Sequence, residues 1–375
     1  MLMDPLRDSL TIVVGSGGVG KTTLSAALGM RAARAGADTL VMTFDPSLRL
    51  KDTLGVGDAA LDREVPVAYH ASGQLNVSLL DARRTFDRLI ARYAPDERAA
   101  ERILRNRFYD HLSGSLAGVL EYMAVERLFE IASERRYDCV ILDTPPARQA
   151  LDFLEAPARI VGFLDSGAIS LALKPWFDKD GRLRATSHLG ILGRGVERFF
   201  DHVIGLGLLR DMAEFFQAFA PLFAGFRERA ERVGELLRDD RTCFALVTTP
   251  DSERVPETLF FARRLVAAGH HLGPVILNMV HPKPPSEADI GRADPALRDG
   301  LELFRHIAER DQRGIEAFRR LLPRPDAVIE LPSLDTEPTD MTSLDTLSRA
   351  AEIRLGALDA ASRQPLGGLP SRKSR

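Results

Sequence analysis

Residues 11–23 read TIVVGSGGVGKTT, and no other segment constrains the fold as tightly. Four β-favouring residues, Thr11 to Val14, run into Gly15-Ser16-Gly17-Gly18-Val19-Gly20-Lys21-Thr22, which fits G-x-x-x-x-G-K-[ST]. A helical pattern starts at Thr22-Thr23, continues to Arg34 and closes at Gly36. The chain is therefore expected to pass from strand through a glycine loop into a helix. Each part has a chemical use. Glycines let consecutive backbone N–H groups turn inward around a polyphosphate, and a lysine in this place reaches the β and γ oxygens. The Thr22 hydroxyl can ligate Mg²⁺, and the helix N-terminus adds a favourable dipole. By composition alone the bare pattern arises in roughly one chain in a hundred of this length, and its strand and helix context makes chance rarer. Residues 15–23 are read as a nucleoside triphosphate site.

Bulk properties narrow the setting. The 375 residues suffice for one large domain or two smaller ones. With 50 basic and 53 acidic residues the net charge is −3, which gives no reason to expect nucleic acid as a partner. Cys139 and Cys243 are the two cysteines, each inside an apolar run, with no C-x-x-C and no metal-ligand spacing. That usage suits a reducing cytoplasm. The opening residues MLMDPLRDSL carry acids where a signal peptide needs a basic start. No run approaches 18 apolar residues, so at most peripheral membrane contact is expected.

Short apolar, β-rich runs recur at residues 10–14, 39–44, 75–80, 139–142, 243–248, 274–278 and 327–331. Helix-length amphipathic segments separate them, the pattern of an α/β, doubly wound, mostly parallel sheet covered on both faces. Ligands in such sheets sit at the carboxyl ends of the strands. Gly15, Asp45, Asp143 and Asn278 all fall at or just past expected strand ends. The expected core comprises residues 8–80, 136–153 and 241–358. Residues 81–135 and 154–240 read as a helical subdomain, and 360–375 as a flexible tail. A stripe through Val196, Phe199, Phe200, Val203, Ile204 and Gly207 and another through Met212, Phe215, Phe216, Phe219 and Phe223 have helical spacing. They suit core packing or a groove for an apolar partner. Residues 178–181, Asp-Lys-Asp-Gly, mark a turn. There is no second phosphate loop.

Hydrolysis of ATP or GTP needs phosphate binding, a metal, an oriented water and compensation of developing charge. Lys21 and Thr22 supply the first two. Asp143 stands where a second acidic group would hold the Mg²⁺ hydration shell, and its alternative is to start the turn before Pro145-Pro146. Asp45 is the candidate to orient the attacking water, its alternative being a turn before Pro46. The Asn278 amide can donate and accept at once, which suits an adenine edge, although asparagine also ends strands for local reasons. His270, His271 and His281 show no metal or triad pattern and read as surface or packing residues.

The segments GSGGVGKTT, FDPSLRLKDTLG, YDCVILDTPPARQALDFLEAP and VILNMV occur in the order found in the arsenite-pump/tail-anchored-protein-targeting ATPase family. The chain resembles that family over nearly its whole length, including a helical insertion after the second of its nucleotide-sensing switch segments. The resemblance implies a P-loop NTPase fold, a homodimer or heterodimer, and ATP with Mg²⁺ as ligands. It makes Asp45 the switch aspartate that positions water, residues 143–146 the second switch, and Asn278 the residue that reads adenine. It also implies that nucleotide state opens and closes the dimer and moves the helical subdomain against a partner or an apolar protein cargo.

Three departures stand out. The family's loop has lysine directly after its first glycine, reaching across the dimer, whereas this chain has Ser16. Its T-G-H in the second switch is replaced by Ala147-Arg148-Gln149. The arsenite-binding cysteines and the zinc-binding C-x-x-C are both missing, and soft As(III) needs thiolates. A Ser16 homodimer is therefore expected to hydrolyse ATP slowly unless a lysine-bearing paralogue acts in trans, or Arg49, Lys51 or Arg148 substitutes locally. A nucleotide-bound interaction module with negligible turnover is the alternative in another class. A partitioning-type ATPase is a further one, disfavoured by the long helical insertion. A nitrogenase-reductase-like role is disfavoured because neither cysteine sits in a loop able to reach a shared cluster.

Overall fold

The structure, a computed structural model, describes residues 10–44, 49–110, 119–165, 206–322 and 327–362. Asp45, the turn at 178–181, most of the stripe from Val196 to Gly207, and residues 363–375 lie outside them. The chain opens with β1 (Leu10–Gly15), α1 (Lys21–Arg34), β2 (Thr39–Thr43), the short α2 (Arg49–Leu54), β3 (Val65–Pro66) and β4 (Leu75–Leu79). Next come α3 (Ala82–Tyr93), α4 (Glu97–Leu104), α5 (Val119–Glu134), β5 (Cys139–Asp143) and α6 (Ala147–Asp165). After α7 (Leu206–Phe219) and α8 (Phe223–Leu236), β6 (Thr242–Thr248) leads to α9 (Val255–Ala267) and β7 (Leu272–Val280). α10 (Glu287–Arg292), α11 (Pro295–Leu321), β8 (Val328–Pro332) and α12 (Met341–Ser362) follow. Helix α12 thus takes in the first three residues of the segment expected as a tail.

Among the described residues, eight strands form one sheet in the order β3-β4-β2-β5-β1-β6-β7-β8. Every pairing is parallel except that of β3 with β4. The expected α/β doubly wound sheet is present. Its central strands are apolar on both faces because helices cover both: Ile12, Val13, Leu40, Val41, Ile141, Leu142, Ala245 and Val247 are all buried. Strand β3 is an addition to the seven expected runs. With two residues it is too short to show alternation, and its proline suits an edge strand. The chain first builds outward from β1 to β2 and β4, then crosses after β5 to β6, β7 and β8 on the other side. That reversal puts a topological switch point at the carboxyl end of β1, where the glycine loop begins.

Two compact units are distinguished. Among the described residues, one unit lies within 1–79, 136–147 and 238–375 and contains the whole sheet; the other lies within 80–135 and 148–237 and is helical. In the first, α12 lies along α1: Ser348 Oγ donates to the Ala27 carbonyl at 2.6 Å, and Arg34 pairs with Asp345 at 2.8 Å and Glu352 at 2.7 Å. Tyr69 Oη also donates to Asp345, at 2.7 Å. In the helical unit, Asp81 and Asp96 cap α3 and α4 by accepting from Arg84 N and Ala99 N. Phe215 and Phe219 of the second aromatic stripe are buried against Phe86, Tyr109 and Phe226, with ring centroids 5.0–6.2 Å apart. Those rings serve as the unit's own core. Beside them, the buried Glu126 carboxylate accepts from Arg229 Nε at 3.0 Å and from Tyr122 Oη. Burial raises the Glu126 pKa, a shift the Arg229 charge opposes.

Candidate nucleotide site

The loop between β1 and α1 is closed by glycines at which a side chain would meet close neighbours. A Cβ on Gly15 would collide with the Val247 carbonyl oxygen of β6. Gly20 has φ 85°, and a Cβ there would stand 2.5 Å from Asn278 Nδ2. Gly20 occupies the N-cap of α1 without a side-chain cap, and no acid lies in the first turn. The N-terminus of α1, at Lys21, Thr22 and Thr23, thus presents its helix dipole with no acid in its own first turn. Lys21 is buried, and its Nζ donates to the Ser16 carbonyl at 2.8 Å, so the lysine spans the loop. This donor set, cationic and rich in N–H groups, fits a polyphosphate.

Asp143 meets the loop through sheet register. It lies opposite Val13 on β1 and opposite Thr43 on β2, and it is fully buried. One of its oxygens, Oδ2, accepts from Thr22 Oγ1 at 2.8 Å and from Thr43 Oγ1 at 2.9 Å. The next residue, Thr144, donates to the Val13 carbonyl at 2.8 Å and straps the end of β5 to β1. A hydroxyl and a carboxylate joined at a loop mouth make a hard oxygen pair, the donor chemistry Mg²⁺ prefers. Asp143 therefore does more than begin a turn.

Asn278 reaches the loop by a different device. The β7–β8 register shifts between Leu277 and Val280, and Met279 adopts φ 60°. Such a bulge re-aims a neighbouring side chain. Asn278 Nδ2 donates to the Val19 carbonyl at 2.9 Å, and the residue is buried. Its amide thus has a structural task at the phosphate loop besides any contact with a base.

Two residues not anticipated from sequence also touch the loop. Ser16 is buried and its Oγ donates to Glu257 Oε2 in the first turn of α9 at 2.7 Å. Arg254, one turn earlier, extends Nη1 to within 3.4 Å of the Gly17 carbonyl. These partners lie 241 and 237 residues from the loop in sequence, and no local pattern marks them. Of the substitutes considered for a loop lysine, Lys51 is ion-paired with Asp58 at 2.7 Å, and the hydrogen bond to Asp58 raises its pKa. The side chains of Arg49 and Arg148 are outside the described ones.

The remaining polar candidates serve packing. His281 Nδ1 lies 2.7 Å from the buried Asp311 carboxylate, which also accepts from the His281 N–H. His270 is buried against Phe244. Both cysteines are buried thiols. Among the described residues no helix is long and apolar enough to cross a membrane.

A loop of this construction at the switch point of a parallel sheet defines the P-loop class of nucleotide-binding proteins. Within that class, residues 9–174 match the profile of the anion-transporting ATPase family. The chain is 30% identical over 171 residues to a candidate arsenical pump-driving ATPase of Halobacterium salinarum, covering 43% of this chain and 26% of that protein. It is 27% identical over 172 residues to the ATPase get3 of Schizosaccharomyces pombe, covering 46% and 50% respectively. A longer alignment joins it to ATPase GET3 of Malassezia globosa: 23% identity over 339 residues, 89% of this chain and 88% of that protein. The chain thus spans a quarter and a half of the first two relatives it matches. Over residues 9–174 the chain is thus similar to the anion-transporting ATPase family, and the longer alignment extends that similarity along most of its length.

Proposed function

We propose that this chain binds Mg²⁺·ATP at residues 15–23 and hydrolyses it in the cytoplasm. The observation that carries the reading is the hydrogen bond from Thr22 to Asp143 at the mouth of an uncapped loop–helix junction. Lys21 and the first amides of α1 would bind the phosphates, and Thr22 and Asp143 would hold Mg²⁺, Asp143 through water. The ion's contribution is neutralisation of charge on the phosphate oxygens. Asn278 holds the loop at Val19 and keeps a second N–H and its carbonyl oxygen for adenine. Asp45 is proposed to orient the attacking water. An ordinary carboxylate is a weak base, so its contribution is positioning. By family resemblance the chain works as a homodimer, or as a heterodimer with a lysine-bearing paralogue, and couples its nucleotide state to a partner or apolar cargo on the helical unit.

A second reading, a nucleotide-bound interaction module with slow turnover, is favoured by the Ser16–Glu257 hydrogen bond. It puts a carboxylate beside the position where the family carries a cation. Turnover of purified protein with Mg²⁺ and ATP separates the two, measured for wild type, Ser16→Lys and Asp45→Asn. Multiple turnovers that Asp45→Asn abolishes support the ATPase. Tight ATP binding with negligible turnover supports the module, and absence of ATP binding defeats both.

A further inference from the structure

We infer that Arg254 supplies the positive charge that position 16 lacks, acting as a phosphate-binding residue of the nucleotide site. The inference rests on the ATP reading above and names the residue that completes its charge balance. Its basis is the uncommitted guanidinium at the loop. Arg254 Nη1 approaches the Gly17 carbonyl at 3.4 Å, and among the described residues no carboxylate stands within ion-pair distance of it. The other cations described in this neighbourhood are engaged: Lys21 inside the loop on Ser16 O, and Lys51 on Asp58.

Electrostatics favours such a group. A triphosphate brings about four negative charges. The described side chains at the loop add two more, Asp143 and Glu257, against the single charge of Lys21 and the two of the Mg²⁺ proposed above, which leaves a negative excess. Arg254 is partly exposed beside the loop, so its guanidinium is accessible to an arriving anion and can form charge-assisted hydrogen bonds with it. The Gly17 carbonyl is a weak, neutral acceptor at that distance, and an arginine side chain is long enough to exchange it for a phosphate oxygen by rotating about its own bonds. Its backbone favours the role as well. Arg254 forms the N-cap of α9, and its neighbour Glu257 is bonded to Ser16, so the segment that carries the arginine is tied to the loop. Charge placed there reaches the phosphates from outside the loop, as a lysine at position 16 would.

The test uses full-length protein and mant-ATP binding together with steady-state turnover in Mg²⁺. Arg254→Gln keeps hydrogen-bonding capacity without charge, Arg254→Lys keeps charge without the fork, and Arg263→Ala on the exposed side of α9 is the control. Loss of a charged hydrogen bond should weaken mant-ATP binding roughly tenfold or more in Arg254→Gln. Arg254→Lys should recover most of that loss, and Arg263→Ala should stay within about twofold of wild type. Recovery by lysine is the outcome a merely structural role would not produce, and nucleotide-free melting curves identify any variant that misfolds. Arg254→Gln with wild-type affinity and turnover overturns the inference while leaving the ATP site standing. A wild-type protein that fails to bind mant-ATP overturns the ATP reading itself.

Discussion

The Thr22 hydroxyl and the Asp143 carboxylate meet at 2.8 Å across 121 residues of sequence, and Thr43 donates to the same oxygen at 2.9 Å. Three elements therefore converge on one oxygen: the start of α1, the end of β2 and the end of β5. Their meeting point is the switch point of the sheet.

Replacing Asp143 with asparagine removes the charge but keeps the shape. Mg²⁺-dependent turnover should fall about a hundredfold or more, since a hard cation loses its anionic partner. Nucleotide binding without Mg²⁺ should change by less than about threefold, because the loop amides and Lys21 are untouched. A Mg²⁺ titration of turnover beside mant-ATP binding in EDTA checks both.

Asn278→Ala should loosen the loop. One buried hydrogen bond to Val19 disappears and its carbonyl is left without that donor, which costs about 1–2 kcal/mol of stability. Affinities for mant-ATP and mant-GTP report which task of the residue matters more. Equal losses for both nucleotides are expected from the tether to Val19, and a loss confined to ATP would make base reading the larger role.

Gly20→Ala meets two obstacles together, a positive φ and the Asn278 amide 2.5 Å from the new methyl. The expected cost is about 2 kcal/mol, with nucleotide binding lost. Gly55→Ala, also at positive φ but with open space around it, should lose less stability and keep nucleotide binding. Thermal melting and mant-ATP titration of both variants make the comparison.

A pH dependence follows from the contact of α12 with α1. Burial pushes the Asp345 pKa up, but hydrogen bonds from Tyr69 and Arg349 and the charges of Arg34 and Arg349 outweigh it, so the net shift is downward. A depressed folded-state pKa adds stability above the unfolded value of about 4, and that stability is lost as pH falls through the folded value. Asp345→Asn should therefore be less stable than wild type by about 1 kcal/mol at pH 7, with the gap closing below about pH 4. Urea titrations at pH 7, 5 and 3.5 measure it.

Much of the fold was legible in the chain because its signals are local. Buried parallel strands need apolar runs, and all seven that were expected appear within a residue or two of their places. Strand β3 was not legible, since two residues carry no period. Asp143 and Asn278 were legible as strand-end polar groups, but their partners were not. Thr43 reads as one more β-branched strand residue until register puts it opposite Asp143.

The sequence by itself determined the strand–loop–helix at residues 10–34 and the glycines within it, because backbone conformation and periodicity are settled by near neighbours. It also carries the resemblance to the anion-transporting ATPase family, through motifs that lie contiguously along the chain. Tertiary structure alone decided what surrounds the loop: Asp143 through register with β1 and β2, Asn278 through a bulge, Glu257 and Arg254 through the placement of β6 beside β1. Strand order and register join residues hundreds of positions apart, and local sequence carries no record of that pairing.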